Sequence, residues 1–188
     1  MKRSKTLKLA VMSLSPIALT ACGDKPVDML VYKTLDECSR DGYYSPDQCR
    51  AEFDKALYAH RIGAPMYLRL KECEADFAPN RCEYLGRFYS PRIAAYMLPL
   101  PRERQNEDNY YGGSGGSSQP LYTSRDDYGY YRTGDNSRVG KSSQSGKVTT
   151  TVSKTRAPSI KTTTVSRGGF GSQAAARGSW GGSKSFGG

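Results

Sequence analysis

Two short, similar cysteine units constrain this chain more than any other feature. Glu37 to Cys49 reads ECSRDGYYSPDQC, and Glu72 to Cys82 reads ECEADFAPNRC. Both follow the pattern Glu-Cys-x-x-Asp, then an aromatic residue, then Pro-x-x-Cys. Each unit opens and closes on a cysteine around a proline-containing turn. An even set of cysteines at such spacings reads as disulfides in an exported chain, with three possible connectivities for four cysteines. The repeat favours Cys38–Cys49 and Cys73–Cys82, with the nested pairing Cys38–Cys82 and Cys49–Cys73 as its rival. Metal binding and thiol redox catalysis are disfavoured: no C-x-x-C pair is present, and His60 is the only histidine.

Whether the chain is exported is decided at its start. Lys2, Arg3, Lys5 and Lys8 precede a mostly apolar run from Leu9 to Leu19, the layout of a secretory signal peptide. The run is too short for a membrane-spanning helix, which needs about 20 apolar residues. It closes on Leu19-Thr20-Ala21-Cys22, which resembles the bacterial lipobox. In lipobox proteins the cysteine thiol is alkylated with diacylglycerol, the signal is cut before the cysteine, and the new amine is usually acylated. Two or three acyl chains anchor stably where one is marginal, since each buried methylene contributes about 0.8 kcal/mol. Cys22 is therefore expected to be the lipidated residue and the tether. Gly23 stands where an inner-membrane retention signal would show aspartate, so the periplasmic face of the outer membrane is the expected location.

Composition divides the rest. Residues 22–100 hold 11 basic and 12 acidic side chains, whereas residues 101–188 hold 13 basic and 6 acidic. No acid follows Asp135, and 16 of the 20 glycines lie from Gly112 onward. The expected architecture is thus a signal peptide (residues 1–21), a small mainly α, disulfide-stapled domain (residues 22–100), and a long disordered basic tail rich in Gly, Ser and Thr (residues 101–188). A domain of this size has a core of only about 3–5 kcal/mol, and cystines would supplement it.

Within the small domain, Asp28 to Lys33 is a β-prone apolar run. Thr34-Leu35-Asp36-Glu37 fits a capping box for a short helix stopped near Gly42. Ser45-Pro46-Asp47-Gln48 is a second one, with proline at the first helical position. Cys49, Phe53, Ala56, Leu57 and His60 then recur at helical spacing to about Ile62. Met66 to Phe77 reads as a further helix, and Pro79 to Phe88 as another turn or two. His60 ends a plain amphipathic face with no nucleophile motif beside it, so a packing role is expected and no active site is read. Nothing in the sequence calls for a cofactor.

In the tail, Thr149-Thr150-Thr151-Val152-Ser153-Lys154 returns as Thr162-Thr163-Thr164-Val165-Ser166-Arg167. Such runs favour extended structure and could pair around Pro158, but low apolar content points to disorder when free. The Arg-Gly-Gly end with Phe170, Trp180 and Phe186 would suggest RNA binding in a cytosolic protein. Export removes that partner, so no nucleic acid is expected. The expected partners are the membrane, through the anchor, then anionic glycans or lipid head groups, attracted in a salt-dependent way, and an envelope protein.

The lipobox, the lead-in to "TLDECS", the two cysteine pairs with "APMY" between them, and "TTTVSRGGFG" together resemble the YgiB-like proteins, an uncharacterised proteobacterial envelope family. That resemblance implies a lipoprotein with no assigned activity, often encoded beside an ATP-grasp ligase resembling glutathionylspermidine synthase. It transfers no residue role. The functional expectation is a non-enzymatic envelope lipoprotein, or alternatively an accessory subunit docking on an envelope enzyme or export complex.

Overall fold

The computed structural model describes residues 24–101 and 116–157. Its centre is β1 (Pro26–Tyr32), a run apolar on both faces because both are covered. β1 pairs antiparallel with β4 (Ala95–Pro99) on one side and with β8 (Gly146–Thr151) on the other. β5 (Gln119–Leu121) adds to β4, giving a four-stranded sheet in the order β5-β4-β1-β8.

Alternation along β1 sorts the two faces. Leu30 and Tyr32, with Leu98 and Leu100, face α1 (Leu35–Asp41) and α2 (Pro46–Gly63), where Cys38, Cys49 and Phe53 complete a core. Phe53 stacks on Tyr96 with ring centroids 4.1 Å apart. Met29 and Val31, with Ala95, Met97, Leu121 and Val148, face the other way. There Tyr131 of β6 (Tyr130–Arg132) and Val139 of β7 (Arg138–Lys141) cover them. The body has three layers: helices, sheet, hairpin.

The caps read in the sequence form. Thr34 accepts from the Glu37 N–H and Glu37 accepts from the Lys33 N–H, while Gly42 ends α1 with φ +72°. Ser45 and Gln48 make both bonds of a capping box on α2. Both local disulfides are present: Cys38–Cys49 ties α1 to α2, and Cys73–Cys82 ties α3 (Leu70–Phe77) to β2 (Cys82–Tyr84).

Three expectations are corrected. The fold is not mainly α, since strand and helix are comparable at 30% and 33% of the described residues. Residues 116–157 are not a disordered tail but supply β5 to β8. Their tyrosines and β-branched residues, too sparse to form a core alone, cover the face of β1 and β4 that the helices leave open. Finally, Pro79 to Phe88 is not helical. After α3, β2 turns at Gly86 (φ +74°) and pairs with β3 (Tyr89–Pro91). Tyr67 bridges to Tyr89, which keeps residues 66–69 extended and shortens α3 to Leu70–Phe77. A third core forms here from Ala64, Tyr67, Cys73, Phe77, Cys82 and Tyr122.

Candidate functional site

Each described stretch of chain begins and ends at the same end of the sheet. Thr151 stands opposite Pro26, the Val152 N–H donates to the Lys25 carbonyl at 2.9 Å, and the Ser153 N–H donates to Asp24 Oδ1 at 3.0 Å. The Ser117 N–H donates to the Thr155 carbonyl at 3.0 Å, and β4 runs past Pro99 beside Met29. Gly116 packs so tightly here that a Cβ on it would fall 2.4 Å from Thr155 Cβ. Residues 24, 101, 116 and 157 therefore cluster. Cys22 lies outside the described residues, two positions before Asp24. The second Thr-Thr-Thr-Val-Ser copy and the Arg-Gly-Gly end also lie outside them. The first copy is divided between β8 and the 3-10 turn Val152–Thr155.

The opposite end of the sheet holds the other candidates. His60, near the end of α2, is 4% exposed. Its Nδ1 is 2.9 Å from Tyr122 Oη, and its Nε2 is 3.4 Å from Glu83 Oε1, a charge–dipole contact rather than an aligned hydrogen bond. Burial pushes the imidazole pKa down, Glu83 partly opposes this, and Arg61 adds to the lowering. Burial, with Glu83, pushes the Tyr122 phenol well up. This cluster joins α2, β2 and the segment after β5. The enclosed imidazole is a structural link between these elements.

Beside it, α3 and the 3-10 turn Arg125–Asp127 border a shallow groove of about 540 Å³. Lys71, Glu74, Ala75, Ala78, Pro79, Arg125 and Tyr128 line it. Sequence reasoning missed it because its walls come from stretches some fifty residues apart in the chain. Elsewhere Leu68, just before α3, is 59% exposed and Tyr84, in β2, is 61% exposed. Among the described residues, no three His, Cys, Asp or Glu side chains group as metal ligands. No described helix is long and apolar enough to cross a membrane.

The model of a family described as "Protein of unknown function (DUF1190)" matches residues 26–181. The chain belongs to that family. The DUF1190 match agrees with the resemblance to the YgiB-like proteins. Curated relatives include a UPF0441 protein of Serratia proteamaculans, 27% identical over 92% of this chain and 83% of the relative. UPF0441 proteins of Erwinia tasmaniensis and Klebsiella pneumoniae are 26% and 25% identical, each over 93% of this chain and 91% of the relative. No solved structure matches. Neither the DUF1190 description nor the relatives' names carry an enzymatic activity.

Proposed function

We propose that this DUF1190 protein is a non-enzymatic cell-envelope lipoprotein, tethered through acylated Cys22, whose basic C-terminal segment contacts anionic envelope components. The lipobox residues Leu19-Thr20-Ala21-Cys22 carry the reading. Two cystines in the folded body fit an oxidising compartment outside the cytoplasm. The clustering of residues 24, 101, 116 and 157 supports it as well. A lipid at Cys22 would put one end of the sheet against the bilayer, and residues 158–188 would leave from that same end. The acid-free segment 158–188 would then start beside lipid head groups, where each basic residue near an anionic surface contributes about 1 kcal/mol.

Intact mass of membrane-purified protein, before and after reduction, tests this. A chain beginning at Cys22 with added acyl mass, gaining four protons on reduction, supports the reading. A full-length, unacylated chain overturns it.

The exposed Leu68, Tyr84 and Leu85 favour a second reading, an accessory subunit docking on an envelope enzyme or export complex. Stoichiometric capture of one envelope protein, lost on Tyr84→Ser, would support it; unchanged capture by that variant would count against this surface.

A further inference from the structure

The groove between α3 and the 125–128 turn has walls that are fixed before any ligand arrives. On one side, the Cys73–Cys82 bond holds α3, and Glu74 Oε1 accepts from the Asn80 N–H at 2.9 Å, fixing the ledge Ala78-Pro79. On the other, Arg132 Nε and Arg138 Nε reach Asp127 Oδ2 at 2.9 and 2.6 Å and pin the turn. Ser142 donates its hydroxyl to the Tyr128 carbonyl at 2.6 Å, and its N–H goes to the Gly129 carbonyl at 2.9 Å. That leaves the Tyr128 side chain standing 48% exposed on a fixed backbone.

Two cations line the same groove as this ring. Lys71 and Arg125 are both exposed and enter no ion pair among the described residues, whereas Asp127 beside Arg125 is already taken. The ledge carries backbone strain. Ala78 adopts φ +83° and ψ 162°, a region that is essentially glycine's. An alanine kept in such a conformation, in the lining of a groove, is an outlier of the kind that accompanies binding sites.

We propose that this groove binds an acidic saccharide, with a sugar ring on the face of Tyr128 and the acidic group between Lys71 and Arg125. The volume falls within the range of ligand sites, and its shallowness suits a saccharide lying along the surface rather than an enclosed small molecule. An exposed aromatic face beside an apolar ledge (Ala75, Ala78, Pro79) matches the C–H faces of sugars. Lys71 and Arg125 outnumber Glu74, the one carboxylate of the lining, and select those carrying a carboxylate. The proposal deepens the envelope reading, which supplies the source of such glycans; the geometry is independent of that reading.

The test is calorimetric titration of the purified full chain with tetragalacturonate, and with neutral maltotetraose, at near-physiological salt. Saturable binding of the acidic tetramer is expected, weakened at least about tenfold by Lys71→Gln/Arg125→Gln and by Tyr128→Ala. These residues are exposed, so the melting temperature should hold. Ala78→Gly, which relieves the strained φ of +83°, should raise the melting temperature. The proposal is overturned if maltotetraose binds equally well. It is also overturned if the groove variants bind as before while Lys161→Gln/Arg167→Gln abolishes binding, which would make the tail the site. Because the titration needs no membrane, its failure and a failed acylation test are separate results.

Discussion

His60 Nδ1 meets Tyr122 Oη at 2.9 Å although 62 residues separate them, which makes this buried bond a clasp between the helical layer and the strand after residues 102–115. The imidazole titrates below its ordinary value because burial outweighs Glu83, with Arg61 adding to the lowering. An unfolded histidine, at a pKa of about 6.5, takes up its proton first, so the unfolded state gains over the folded one on acidification. The His60 contribution should be fully present above about pH 6.5 and be lost as pH falls toward the depressed folded value. Urea unfolding between about pH 5 and 8 measures this, and His60→Gln should flatten the slope over that window.

Tyr122→Phe removes the phenol oxygen and strands a buried imidazole nitrogen. A loss of about 1–3 kcal/mol is expected from the urea midpoint at neutral pH. A loss near zero would show that the Tyr122 ring alone holds this region.

Each cystine closes a short loop, 11 residues for Cys38–Cys49 and 9 for Cys73–Cys82. Cys38→Ala/Cys49→Ala should cost about 2–3 kcal/mol. Thermal unfolding with and without reductant checks it, and reductant should lower the midpoint of the wild type but leave that of a four-alanine variant unmoved.

A chain of residues 24–101 should not fold cooperatively, whereas residues 24–157 should. Without Leu121, Tyr131, Val139 and Val148, the face of Met29, Val31 and Met97 would be left in water. Proton–nitrogen correlation spectra of the two pieces decide this: dispersed peaks from residues 24–101 would refute it.

Phe53→Ala removes a ring that is 5% exposed and stacked on Tyr96. A cost of about 3–5 kcal/mol is expected in denaturant unfolding.

What was legible in the sequence was local. Thr34, Ser45 and Gln48 declare their caps because capping chemistry acts within three residues, and the cysteine repeat declares loops that close on themselves. β8 was opaque because its stabilising partner is far away: Thr149 donates to Asp28 across 121 positions. Gly146-Lys147-Val148-Thr149-Thr150-Thr151 has little apolar surface of its own and becomes a strand by lying against β1. Tyr122 and Tyr131 likewise looked like linker residues in a tyrosine- and glycine-rich stretch, yet they are 0% and 2% exposed. The groove was invisible for the same reason, since Lys71 and Tyr128 line it from stretches far apart in the chain. Asp24, beside the expected tether, gave no sign of its bond to Ser153.

The gathering of residues 24, 101, 116 and 157 at one end of the sheet separates two properties that most small proteins must adjust together. Residues added between 101 and 116, or beyond 157, would join the described chain at that end of the sheet. Loop closure costs only about 0.6 kcal/mol more for each doubling of loop length. Inheritance can therefore lengthen or recharge those stretches freely, while the opposite end keeps its groove and apolar surface in one shape. Under the proposed anchoring the molecule would be mounted at one pole and present at the other, so its reach and its recognition could evolve on separate schedules.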